Sequence, residues 1–138
     1  MPEIWPVFAP DDPAVMGDDY IDLAMFYGTP YSDILIDAGL APIEAYVGMS
    51  EAEFHDMTAA MPESMRRPYV PERDSPWFPP EAMLQICAAI RAALRDQPGL
   101  FTEWPQMAAH TAELLDETER VFNRAVARGV AFRLSVSP

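Results

Sequence analysis

The chain reads as an α+β domain, mainly helical, in which four to five helices pack with a small sheet formed by the C-terminal strand and the N-terminal segment. Three observations predict this class. At 138 residues, with 1–138 taken as one domain, the chain is long enough to bury roughly two thirds of its unfolded surface. Half of its residues are apolar and only 22% are charged, which sets it apart from disordered chains. Apolar side chains recur every three or four residues through the second half, whereas alternation by two marks the two ends.

At the start, Glu3-Ile4-Trp5-Pro6-Val7-Phe8 alternates as a short strand, and Pro6 restricts it to a sheet edge because proline donates no ladder hydrogen bond. Asp11, Asp12 and Pro13 mark a turn. Tyr20 to Tyr27 follow Asp18 and are closed by Gly28, which predicts a helix with an Asp cap and a Gly stop. Pro30-Tyr31-Ser32-Asp33 opens another short helix, ended by Gly39. Ser50 and Glu53 have the spacing of a capping box, so a helix starts at Glu51, with Phe54, Met57 and Met61 on one face and Pro62 as its end.

Six prolines between Pro62 and Pro80, with Tyr69, Trp77 and Phe78 among them, predict an extended segment pinned to the core by its aromatics. Met83, Ile86, Cys87, Ile90 and Leu94 then give the clearest amphipathic helix, broken at Pro98-Gly99. The last helix is expected to begin at Thr102 as N-cap, to bury Met107, Leu114, Val121, Phe122 and Ala125, and to stop at Gly129. Val130, Phe132, Leu134 and Val136 alternate on the inner face of a terminal strand, whose natural partner is the N-terminal segment.

Charge is distributed unevenly. Residues 1–65 hold thirteen carboxylates and no Arg or Lys, whereas residues 66–138 hold nine carboxylates and nine Arg, so the net charge of −13 sits wholly in the first half. A charge of that sign opposes binding to nucleic acid, whose affinity comes largely from phosphate neutralisation. Arg66, Arg67 and Arg73 are expected to bridge to the acidic half. The opening Met1-Pro2-Glu3-Ile4-Trp5 has neither a basic nor an apolar leader region, and no run of about 18 apolar residues occurs, which predicts a cytoplasmic chain that neither spans nor binds a membrane. Cys87 is the single cysteine, so an intrachain disulfide is impossible.

Candidate chemistry is sparse. Glu51, Glu53, His55 and Asp56, with distant His110, form the one grouping with metal-ligand potential, because residues four apart on a helix, such as Glu51 and His55, can share a cation; an isolated surface Glu-His pair is the plainer account. Asp11, Asp12, Asp18, Asp19 and Asp22 do not follow the order of a calcium loop. Cys87 lies on an apolar helix face, where a thiol is an inert core residue. Phosphate loops, nucleophile elbows and zinc-protease motifs do not occur. No cofactor is expected.

The stretch from Ser75 to Val136 resembles small uncharacterised bacterial proteins, including immunity-type proteins of toxin systems. Ser75, Trp77, Phe78, Pro79 and Pro80 stand where those have a loop opening a helix, and Arg128, Gly129, Val130, Phe132 and Leu134 where they have the closing strand. The resemblance implies no catalytic residues, and the chain is not expected to be an enzyme. With the acidic half it leads to the expected function: a cytoplasmic binding protein, an immunity protein or inhibitor that occludes the active site of a basic toxin or enzyme. Its expected contacts are Asp18, Asp19, Tyr20, Asp22, Tyr27, Tyr31, Asp33, Asp37, Glu44 and Tyr46, because carboxylates steer a basic partner and tyrosines anchor it. A DNA-mimic inhibitor is one alternative, and a small metal-binding protein or enzyme using Glu51, His55 and Asp56 is another. An acidic half that serves only solubility is the remaining account of the charge.

Overall fold

The two alternating segments at the chain ends pair with each other. In the computed structural model, which describes residues 2–137, β1 (Glu3–Ala9) and β2 (Ala131–Ser137) form a two-stranded antiparallel sheet. Its register sets Ile4 opposite Val136, Pro6 opposite Leu134 and Phe8 opposite Phe132, and opposed residues share a face, so these six make the inner surface. Pro6 is tolerated because β1 is an edge strand, as its sequence required. The other edge of β2 is touched by single bridges from Val47 to Leu134 and from Phe78 to Phe132. Gly48 permits that approach, since a Cβ there would stand 3.1 Å from the Ser75 Cα, and its N–H donates to the Leu134 carbonyl at 2.9 Å.

Between the strands run α1 (Pro13–Met16), α2 (Tyr31–Asp37), α3 (Glu51–Thr58), α4 (Pro71–Asp74), α5 (Glu81–Asp96) and α6 (Pro105–Arg128), with short 3-10 turns at Leu23–Phe26, Ile43–Tyr46 and Glu63–Met65. The mainly helical α+β class is therefore correct, with the N-terminal segment as the partner strand. The long helices α5 and α6 pack together, α2 lies on α5, and α1 lies on α6. Met83, Ile86, Cys87 and Ile90 of α5 meet Leu114, Leu115, Val121, Phe122 and Ala125 of α6 in one buried core. Phe122 stands edge-on to Phe132 at 4.9 Å and lies 5.6 Å from Phe8, which joins the longest helix to the inner face of the sheet. Burial pushes the Cys87 thiol up to about 12, as an inert core residue requires.

Electrostatic ties fasten the irregular segments. Arg124 donates to the carbonyls of Val15 and Met16 and to Asp19, and Arg128 binds Asp12, so α6 holds the loop around α1. These guanidinium bonds keep the carboxyls of Asp12 and Asp19 below their ordinary range. Asp74 is gripped by Arg73, by the Val70 N–H and by Arg67, which holds its carboxyl far below the usual value.

Several elements differ from expectation. Tyr20–Tyr27 does not form a helix; only Leu23–Phe26 coils, as a 3-10 turn capped by Asp22 rather than Asp18. The Asp22 Oδ1 accepts from both the Ala24 and the Ile4 N–H groups, so a tertiary bond to β1 ties down Asp22, whose own backbone is extended. Helix α6 begins at Pro105, and the Thr102 hydroxyl donates to the Gly99 carbonyl in a turn instead of capping. On α3, Phe54 is buried but Met57 is 51% exposed. The capping box holds in part: the Glu53 N–H donates to Ser50 Oγ at 3.2 Å, while the Glu53 carboxylate accepts from the Ser50 hydroxyl. The proline-rich stretch contains α4 and a 3-10 turn, yet its aromatics do pin it, with Tyr69 donating to the Met49 carbonyl and Phe78 bridging to β2.

Among the described residues, no helix is long and apolar enough to cross a membrane.

Candidate functional site

The inner face of the sheet is not covered along its whole length. At one end Phe8 and Phe132 meet Phe122 of α6. Four residues along β1, about 13 Å away, Ile4 and Val136 form the other end. There the covering element is not a long helix but two short turns, Leu23–Phe26 and Ile43–Tyr46. The result is a cavity of about 540 Å³, lined by Pro2, Ile4, Ala24, Tyr27, Glu44, Val47 and Val136. Val136 occupies the inner-face position that alternation assigned to it, but it is 40% exposed, because it forms a wall of this cavity instead of a core contact.

Glu44 gives the cavity its chemistry. The other walls are apolar apart from the Tyr27 hydroxyl and backbone groups. Glu44 is half-buried, and its Oε1 is closed off from solvent with no hydrogen-bond partner among the described residues. A carboxylate oxygen in that condition is uncommon, since buried polar atoms are nearly always bonded. Tyr27 is 61% exposed, so its ring is available at the cavity mouth. Beside the cavity, the Tyr20 hydroxyl bonds to Glu3 at the start of β1, which raises its pKa above that of a free phenol.

Of the ten expected contact residues, Tyr27 and Glu44 line this cavity, and Tyr20 and Asp22 flank it through Glu3 and Ile4. Asp22 is spent on backbone N–H groups, and Asp19 on Arg120 and Arg124. Asp18 is exposed. Asp33 and Asp37 lie on α2, Asp33 beside a groove that includes Phe101, Trp104 and Met107, and Asp37 beside Ala89 and Asp96 of α5. Tyr31 is no surface anchor: it is 2% exposed, and its hydroxyl lies 2.6 Å from Thr111 Oγ1. Tyr46 is likewise turned inward, its ring edge-on to Phe78 at 4.7 Å and stacked with Phe132 at 5.7 Å. The expected residues therefore do not form one continuous patch of contacts.

Sequence reasoning missed Ile4, Ala24, Val47 and Val136 as site residues, because each looks like core. The available signal was the inner-face alternation of β2, which extends to Val136, beyond the reach of α6.

The remaining candidates are resolved by geometry. Glu51 and His55 sit 3.6 Å apart, each about two thirds exposed, and among the described residues no group of three or more metal-ligating side chains comes together. His110 is exposed on α6. Among the described residues, Arg66, Arg67 and Arg73 do not bridge to carboxylates of the first 65 residues; Arg67 and Arg73 hold Asp74, and Arg66 donates to the carbonyls of Ala59 and Met61. Arg133 lies over the Trp77 ring at 4.5 Å and donates to Ser75.

Compared with known protein families, with curated proteins and with solved structures, the chain matches none.

Proposed function

We propose that the chain is an acidic docking protein for a basic protein partner, acting as an immunity-type inhibitor that covers the active site of a cationic toxin or enzyme. What supports this is how the arginines are used. Among the described residues, arginine ion pairs reach only Asp12 and Asp19 of the thirteen carboxylates in residues 1–65. Arg67, Arg73, Arg91 and Arg95 pair instead with carboxylates of the second half, namely Asp74, Asp116, Glu119 and Asp96. The acidic excess is thus left uncompensated by the protein's own cations. Such an excess raises the association rate with a basic surface and rejects acidic competitors.

The test is co-expression with the products of neighbouring genes, followed by affinity capture at low and at high salt. A basic neighbour retained at low salt and shed at high salt is the expected result, with loss of that neighbour's activity in the complex. No neighbour captured at any salt would remove the reading.

A further inference from the structure

We infer that the cavity between Ile4, Val136 and Glu44 is the receptor for one arginine side chain of the partner. This deepens the docking reading and rests on it for the protein nature of the ligand. Three features of the site converge on an arginine. The walls formed by Ile4, Ala24, Val47 and Val136 suit the methylene stem of a long side chain, and about 540 Å³ has room for that chain together with its backbone. Glu44 lines the cavity and supplies its one negative charge, and none of the protein's own arginines pairs with it among the described residues. A guanidinium donates strong charge-assisted bonds to a carboxylate, and its weak hydration suits an apolar enclosure better than a lysine ammonium does. Tyr27, at the mouth, offers a ring for the cation to stack on.

The uncovered sheet end thereby becomes intelligible. Filling Val136 and Glu44 with a seventh helix would cover the apolar strip but leave the carboxylate with no partner. A cationic side chain from outside satisfies both.

The probe is butylguanidinium, compared with neutral butylurea, titrated into the full chain with its Ile, Val and Ala methyl groups observed by NMR. Butylguanidinium is expected to shift the Ile4, Ala24, Val47 and Val136 signals. Butylurea should bind about tenfold more weakly, and Glu44→Gln should cost butylguanidinium about tenfold while leaving butylurea unchanged, since only the charge-assisted bond is lost. Glu44→Gln keeps the side-chain size, and an unaltered thermal midpoint certifies its fold. Absence of these shifts, or equal binding by the two probes, overturns the proposal. So does movement of the same signals with protein concentration alone, which would assign the cavity to a second copy of the chain.

The two readings fail separately. If a neighbour is captured equally by wild type, Glu44→Gln and a cavity-filling Val136→Trp, docking survives and the arginine receptor does not. If butylguanidinium seats in a Glu44-dependent way and no neighbour is captured, the receptor survives and the protein-partner reading does not.

Discussion

Tyr31 and Thr111 illustrate how a single residue can mislead. From its neighbours in sequence, Tyr31 looked like an anchor among acids, but its ring packs 5.1 Å from Phe26 and its hydroxyl meets Thr111 across 80 positions of chain. The Thr111 hydroxyl also reaches Met25 Sδ at 3.7 Å, so it is a buried hub between α6 and the N-terminal half. Removing one member leaves the other without its partner in the core. Tyr31→Phe and Thr111→Val are each expected to cost about 1–3 kcal/mol in urea unfolding, and the double variant clearly less than their sum. Additive costs would show that the bond contributes nothing beyond packing. Glu44 is the counterpart on the surface side. Its acidic type is plain in the sequence, while the seclusion of its Oε1 depends on side chains that no local pattern reveals.

At the scale of elements, the long helices were legible because each carries a full apolar stripe. Met83, Ile86, Cys87 and Ile90 are all fully buried, as are Val121, Phe122 and Ala125. Shorter elements were less so, because a four-residue turn such as Leu23–Phe26 has too few positions to display a period and is held by a tertiary bond from Asp22. The end of α6 is legible for a different reason. Gly129 has φ 66°, the left-handed conformation that other residues adopt only at a cost, and its N–H closes on the Val126 carbonyl just before β2 begins. A Cβ there would meet nothing within 4 Å, so the cost of adding one is conformational alone. Gly129→Ala is expected to lower stability by about 1–2 kcal/mol with no change in the slope of denaturant unfolding. A neutral result would mean that the α6–β2 junction has another conformation open to it.

For the whole molecule, the decisive quantity is the balance between like-charge repulsion and the ion pairs. A net charge of −13 destabilises the folded state through self-repulsion, and only Asp12 and Asp19 of the acidic half are relieved by arginine among the described residues. Added salt shortens the Debye length from about 30 Å at 0.01 M to about 3 Å at 1 M, which screens long-range repulsion more than close pairs. The thermal midpoint is therefore expected to rise by about 2–6 °C between those extremes of sodium chloride, equivalent to about 1 kcal/mol. A fall would show that the pairs of Arg91, Arg124 and their carboxylates outweigh the repulsion, and that little uncompensated charge is available for a partner.

What the chain determines by itself is whatever depends on near neighbours. The α5 and α6 stripes, the Ser50 cap, the Gly129 stop and the alternation at both ends follow from helix and strand periods and from backbone sterics. Charge asymmetry is also fully present in the one-dimensional order. Only tertiary structure decided which carboxylates are consumed by Arg120, Arg124 and Arg128, that Tyr31 and Tyr46 are turned inward, and that Val136 walls a cavity with Glu44 instead of a core. Those outcomes depend on where distant segments meet. Burial and desolvation belong to the assembled surface, and no local pattern encodes them.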